Sequence, residues 1–442
     1  MKRQPYPKYK PSGVEWLGEI PEGWKVLSLR RYLRVSSGDM ISIDNFQEEG
    51  YPVFGGNGFR GYTDRWNTET NTIIIGRYGA LCGNVRLTEE QIWATEHAFR
   101  VIPLTTFDAK FLASVIKILD LNKLSARAAQ PGLNSEMVRN HMVCIPPLAE
   151  QRAIASYLDG ETERIDALIE KKERQIASLQ EKRSALISSL VTGQLSLVRN
   201  RETGRVRTIR DEEMRSMAED PRFEILVDCS VKKNSAVEWL GQIPEHWKVK
   251  RLKYSADLIN YKLDGKESDL PYTGLEHIEP WTGKHIAENE DFSSESLASH
   301  FRRGDVLFGK LRPYLAKVHA AATEGLCSSE LLVLRPKEVI QNFLFNYMLN
   351  SDFITVVDSS TYGAKMPRAS WDFIGNLSVL IPPLAEQHAI ASYLDAETSR
   401  LDGLVEKIEA SMELLREYRS ALISAAVTGR IRVCEEESME VE

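Results

Sequence analysis

Cysteine is scarce: Cys82, Cys144, Cys229, Cys327 and Cys434 are odd in number, lie far apart and never form a C-x-x-C pair. A disulfide framework and a thiolate zinc site do not fit that spacing, and reduced thiols in a cytoplasmic protein do. No apolar run approaches the roughly 20 residues that a bilayer-spanning helix needs, so no membrane partner is expected. The amino terminus, M-K-R-Q-P-Y-P-K-Y-K, is polar and carries prolines, which is not the pattern of a secretory signal. Basic excess is missing too, with 56 Lys and Arg against 63 Asp and Glu and a net charge of −7. Bulk charge therefore gives no support for nucleic-acid binding. The eight histidines do not cluster with Cys or Asp at metal-ligand spacing. No G-x-x-x-x-G-K-[ST] phosphate loop occurs. Phe54 to Gly58 matches F-x-G-x-G, a pattern many methyltransferases use for S-adenosylmethionine, yet no Asn/Asp-Pro-Pro-Tyr/Phe follows it. A glycine-rich strand turn is the simpler reading. No catalysis is expected of this chain.

What is present is duplication. I-P-P-L-A-E-Q-R-A-I-A-S-Y-L-D-G-E-T-E-R-I-D from Ile145 returns at Ile381 with 18 of 22 positions identical, at an offset of 236. V-E-W-L-G-E-I-P-E-G-W-K-V from Val14 returns at Val237 with 11 of 13 identical, offset by 223. R-S-A-L-I-S-S-L-V-T-G-Q-L from Arg183 is matched at Arg419, again offset by 236. Between these blocks, Leu27 to Cys144 and Lys250 to Leu380 are only faintly similar, and the second stretch is 13 residues longer. One frame repeated around two different inserts suggests one architectural job done twice and one recognition job done in two ways. The inserts are near neutral. Leu27 to Val143 holds 13 basic and 12 acidic residues, and Lys250 to Leu380 holds 15 and 17.

After each I-P-P-L comes a proline-free stretch of roughly 40 residues rich in helix formers. The second proline suits a first helical position, where its missing N–H costs nothing. Apolar residues then recur by sevens. In the first copy the rows are Leu158, Ile165, Lys172, Leu179, Leu186 and Thr162, Ile169, Ile176, Arg183, Leu190. In the second they are Leu394, Leu401, Ile408, Leu415, Leu422 and Thr398, Val405, Met412, Arg419, Ala426. Two such rows make a coiled-coil seam. Each helix is expected to run roughly 60 Å at 1.5 Å per residue, with Gly193 and Gly429 as C-caps and a break near Asp159 and Gly160. One chain carrying both helices favours intramolecular, antiparallel pairing over a dimerisation rod.

The inserts read as mixed α/β. Aligning Gly76 with Gly309 sets a short strand in each before a basic residue, Arg77 with Tyr78 in the first, Lys310 with Arg312 and Tyr314 in the second. A strand delivering a cation and a tyrosine into a turn suits phosphate or base-edge contact; a hairpin with exposed Arg, Lys and Tyr fits as well. Asn57 and Arg60 in the segment Tyr51 to Tyr62 join the candidates. So do Gln130 and Asn134 of S-A-R-A-A-Q-P-G-L-N, and Lys365 and Arg368 of T-Y-G-A-K-M-P-R-A-S, unless these are plain solvated loops. The expected fold class is α+β: two mixed α/β domains separated by two long antiparallel coiled-coil helices in a pseudo-two-fold repeat. The expected boundaries are 1–144 and 232–380 for the domains, 145–196 and 381–433 for the helices, 197–231 for a charged linker and 434–442 for an acidic tail.

The duplicated set of V-E-W-L-G-E-I-P-E-G-W, I-P-P-L-A-E-Q-R-A-I-A-S-Y-L-D and heptads ending in R-S-A-L-I-S-x-x-V-T-G resembles the specificity subunit of type I restriction-modification enzymes, from about Tyr9 to Val433. The resemblance implies that each insert is a target-recognition domain for one half of a split double-stranded DNA target, and that the helices set the spacer between halves. It also implies that helices and adjoining repeats dock two methyltransferase subunits. S-adenosylmethionine would then belong to those subunits, and ATP and magnesium to restriction subunits. Two rival readings stay open: a two-headed scaffold binding proteins or sugars, and an enzyme with an unrecognised site.

Overall fold

Runs of β-branched and aromatic residues bounded by Gly, Pro and Asn form strands, and the proline-free stretches form helices. The computed structural model describes residues 5–56, 58–79, 82–125, 132–264, 268–286, 297–363 and 365–433. The chain divides into two units, Met1–Glu173 with Glu409–Glu442, and Arg174–Ile408. Each unit holds one insert, the opening part of the long helix that follows it, and the closing part of the other long helix.

In the first unit an antiparallel sheet runs in the order Leu33–Ser37, Ala98–Pro103, Ile73–Gly76, Val85–Leu87. A second sheet pairs Tyr51–Gly55 antiparallel with Gly58–Thr63 and parallel with Trp93–Ala94. Helix Ala109–Lys117, capped by the Asp108 side chain accepting from Phe111 N at 2.9 Å, buries Phe111, Leu112, Val115 and Ile116. Those side chains share a core with Ile73, Ile75, Phe99 and Val101 of the sheet.

The second unit repeats the main sheet as Ala256–Ile259, Leu331–Pro336, Val306–Gly309, Val318–Ala320. The offset is 223 at Leu33 against Ala256, 233 at Ile73 against Val306, and 236 at Met142 against Ser378. Ten of the thirteen extra residues therefore fall between the first two sheet strands in sequence. There the second domain builds a four-stranded accessory sheet where the first has three strands. Gly76 and Gly309 do end equivalent strands.

Residues 197–231 are not a structureless linker. Ser196–Asn200 pairs antiparallel with Val206–Ile209 and with Phe223–Val227, and helix Asp211–Glu219 lies between the last two. High charge hid a thin apolar set: Val198, Ile209 and Met214 are buried together, with Phe223 packed on them. Leu197 and Val227 join the main core of the second unit. Among the described residues no helix is long and apolar enough to cross a membrane. The four described cysteines are buried, and burial pushes the Cys144 and Cys229 thiols up to about 12.

The long helices are Leu148–Val191 and Leu384–Val427, 44 residues each. The first continues through Gly160 without a break. Ile154, Ala155, Leu158 and Ile165 on either side are buried, which outweighs the roughly 0.5–1 kcal/mol a mid-helix glycine costs. Leu158, Ile165, Leu394, Leu401, Met412 and Leu422 are buried; Ile169, Ile176, Leu179, Leu186, Val405, Ile408 and Leu415 are half-buried. In the first unit Arg419 Nη2 donates to Asp166 at 3.1 Å and Arg416 sits 3.8 Å from Glu173, so the two helical segments there run antiparallel. In the second unit Arg183 Nε donates to Asp402 at 3.1 Å. Those residues are the repeat counterparts of Arg419 and Asp166, so one ion pair is made once in each unit.

All three repeated blocks meet at one junction per unit. Trp24 and Trp247 are fully buried, and their indole N–H groups donate to Glu150 (3.1 Å) and Glu386 (2.8 Å) in the first turn of each long helix. The same carboxylates accept from Tyr6 in the first unit and bond the His246 ring in the second. The next residue, Gln151 or Gln387, ties the helix start to its own domain. It bonds the Pro146 or Pro382 carbonyl and accepts from Asp108 N or Ile340 N. The end of the other helix closes the junction. Gly429 and Gly193 hold left-handed backbone at φ 74° and 70°, and a Cβ on either would fall 2.4 Å from the ring of Pro21 or Pro244. Gly429→Ala and Gly193→Ala should each cost more than about 1 kcal/mol, since Ala resists positive φ and has no room. Gly160→Ala, with open space around it, should be neutral or stabilising. Urea midpoints of the three variants test this, and an unchanged midpoint for Gly429→Ala would show that the junction tolerates a looser fit.

Candidate nucleic-acid interface

In the first unit the strand Ile73–Gly76 ends and hands Arg77 and Tyr78 to a turn. Arg77 is held on its own domain: Nη1 donates to Ser37 Oγ at 2.9 Å, and the guanidinium lies over the Tyr78 and Phe99 rings at 4.7 and 5.2 Å. Its Nε is buried with no hydrogen-bond partner among the described residues. Tyr78 stays exposed, edge-on to His97 at 5.6 Å. The turn is bridged to the later loop, Tyr78 to Gly132, with Leu133 N donating to Arg77 O at 2.9 Å. Asn134 lies beside this bridge, and its side chain caps helix Ser135–Arg139 by accepting from Met137 N at 2.8 Å. Arg60 is exposed on the strand Gly58–Thr63. Asn57 and Gln130 lie outside the described residues.

Within the F-x-G-x-G stretch, Gly55 and Gly56 serve the fold. A Cβ on Gly56 would meet the Tyr78 carbonyl at 2.4 Å, and one on Gly55 would meet the Arg60 side chain at 2.9 Å. The glycines therefore let two segments of the domain approach closely. Nearby, Phe59 and Tyr62 pack edge-to-face at 5.0 Å and are both exposed.

The second unit repeats the plan with other residues. Val306–Gly309 delivers Lys310, Leu311 and Arg312 to a turn whose Arg312 and Ala316 take left-handed backbone at φ 52° and 46°. Leu311 bridges to Arg368, Arg312 N donates to Pro367 O at 2.8 Å, and Ala369 N donates to Lys310 O at 2.9 Å. In both domains, then, the strand-end turn is bonded to described residues of the later loop, Gly132 and Leu133 in the first and Pro367 to Ala369 in the second. Arg312, Tyr314 and Lys365 are exposed and Lys310 is half-buried. Arg368 is spent internally, giving Nε and Nη2 to Glu330 at 3.1 Å each, a pairing that holds its guanidinium above the usual range.

Phe59 and Tyr62 in the first domain and Tyr362 and Met366 in the second, none of them among the sequence candidates, are all exposed. The available signal was an aromatic beside glycine in a turn, as in F-R-G-Y and T-Y-G. Among the described residues no group of three or more His, Cys, Asp or Glu is arranged to hold a metal ion.

Comparison with known proteins follows the same division. The family model for the type I restriction modification DNA specificity domain matches residues 21–178 and 244–414. The EcoDI specificity subunit of Escherichia coli is 22% identical over 423 residues, covering 94% of this chain and 90% of that protein. The MjaVIII specificity subunit of Methanocaldococcus jannaschii is 21% identical over 443 residues, with 94% of each covered. A solved chain from work on complex assembly and conformational transition of the type I R-M system superposes with a TM-score of 0.59 at 15% identity, covering 92% of this chain and 98% of that one. At that identity the superposition speaks to fold alone. Two matched stretches that together span most of the sequence place this chain in the family of type I restriction-modification specificity subunits, whose work is DNA sequence recognition.

Proposed function

We propose that each domain reads one half of a split double-stranded DNA target through the surface where its strand-end turn meets its later loop, while the long helices set the distance between the half-sites. The observation that carries this reading is the contrast between frame and surface. The frame repeats down to the Asp166–Arg419 and Asp402–Arg183 pairs. The turns do not, offering Arg77 and Tyr78 in one domain and Lys310, Arg312 and Tyr314 in the other.

The helices and junction blocks, being the duplicated parts, suit docking of two identical methyltransferase subunits. Those subunits carry S-adenosylmethionine, and restriction subunits bring ATP and magnesium. This chain adds recognition and geometry and no bond-breaking group. Near-neutral inserts leave little affinity from counterion release. Sequence-specific binding at physiological salt should therefore require the methyltransferase subunit, and tight specific binding by the purified chain alone in a titration would refute that dependence.

Exchanging residues Leu29 to His141 for the insert of another specificity subunit leaves the strand pair Lys25–Ser28 with Met142–Ile145 in place. Methylation mapping should then show one half-site changed and the other kept. Change in both halves, or in neither, contradicts independent readers.

The spacing role has its own test. Four residues inserted after Gln175 and four after Ala410, both exposed, add about one turn, roughly 6 Å, to each helix. Against about 3.4 Å per base pair, the non-specific spacer should lengthen by one or two base pairs with both half-sites unaltered. An active complex with an unchanged spacer would mean the helices bind partners without measuring DNA.

A further inference from the structure

In the second domain Tyr362 and Arg368 close a hairpin by reciprocal backbone hydrogen bonds of 3.1 Å. Gly363, at φ 92°, supplies backbone that L side chains resist. Three further ties fix the hairpin to the domain: Arg312 N to Pro367 O, Ala369 N to Lys310 O, and the double hydrogen bond from Arg368 to Glu330. A rigidly tied hairpin nonetheless leaves large apolar side chains in water. Tyr362 is 64% exposed and Met366 52%, and Tyr314 on the adjoining turn is 45% exposed. Arg312, whose backbone N–H is bonded to Pro367 O, and Lys365, two residues before Pro367, are both exposed, and neither forms an ion pair among the described residues.

Burying Tyr362 and Met366 among neighbours would have been the stable choice for an isolated domain. Their exposure on a tied hairpin beside two uncommitted cations fits a surface that completes itself against DNA, phosphates to the cations and base surface to the apolar tip. Arg368 gives Nε and Nη2 to Glu330, which fixes its guanidinium and leaves Nη1 and one Nη2 hydrogen for any further contact.

We propose that Tyr362 and Met366 are specificity-determining residues of the second domain, packing on the apolar surface of a base in its half-site, and that Arg368 is a positioning residue acting through Glu330. This rests on the DNA-reading function proposed above. Apolar base surface comes from two sources, the methyl group of thymine or the face of an unstacked base.

The test uses the complete complex of this chain with its methyltransferase subunit, and duplexes carrying the target found by methylation mapping. Tyr362→Ala with Met366→Ala should lower specific binding on the order of tenfold and relax preference within the second half-site only, with the first half-site and non-specific affinity unchanged. Replacing each thymine of the second half-site by uracil weakens binding if the methyl group is the contact. 2-Aminopurine fluorescence rises on binding if a base is unstacked. Glu330→Gln and Arg368→Gln should weaken binding by similar factors that do not add in the double variant. Unchanged affinity and preference in the Tyr362/Met366 variant would overturn the reading role. A costly Arg368→Gln beside a neutral Glu330→Gln, or two neutral variants, would overturn the positioning role. A wild-type complex with no sequence preference would instead count against the function proposed above and not against the hairpin.

Discussion

Each half of this protein hangs on a buried tryptophan that donates to a carboxylate in the first turn of a long helix. Trp24 and Glu150 make that bond in the first unit, Trp247 and Glu386 in the second. A carboxylate at a helix start is favoured by the helix dipole, and burial makes its partner obligatory. Removing the indole would strand acceptors that cost about 1–3 kcal/mol each when unsatisfied. Around this bond the other repeated residues have little freedom. The following glutamine must reach its own domain's backbone, and the glycine ending the other helix must lie against Pro21 or Pro244. The near identity of V-E-W-L-G-x-I-P-E-x-W, I-P-P-L-A-E-Q and V-T-G thus has one physical cause: they are the sides of one joint, made twice.

The same joint explains why the inserts are free to differ. Each is clamped at its root, through Lys25–Ser28 with Met142–Ile145 or Lys248–Arg251 with Ser378–Ile381. Above the root a four-stranded sheet of fixed order keeps the strand-end turn and the later loop together. Residues in those turns answer to no repeated partner. Extra length goes where the frame does not feel it, as the larger accessory sheet of the second domain shows.

Much of this was legible in the residues. Heptad spacing marked both long helices, whose seam side chains range from buried to half-buried, and equating Gly76 with Gly309 located equivalent strands. What stayed hidden was decided by partners distant in sequence. The burial of Leu197 and Val227, inside the stretch read as a charged linker, stayed hidden because the core that receives them is built by other segments. Gly160 read as a break because propensity is local, while the flanking burial that outweighs it is not. The pairing of Arg368 with Glu330, 38 residues away, cannot be seen in the sequence. Asn134 lies next to the candidate surface, but its side-chain oxygen is engaged by Met137 N as a helix cap.

A recognition subunit with a net charge of −7 cannot rely on a broad positive field to hold DNA, and its candidate surfaces are built accordingly. Arg77 is fixed by Ser37 and by aromatic rings, while Arg312 and Lys365 stay exposed beside a tied turn. Arg368 is immobilised by a carboxylate that also cancels its charge. Fixed groups lose less conformational entropy on contact than free ones, so more of each interaction survives as discrimination between sequences. Weak general attraction with rigid local contact favours specificity over affinity, because loose electrostatic binding adds equally to right and wrong sites. Such a design gains when affinity comes from elsewhere in an assembly.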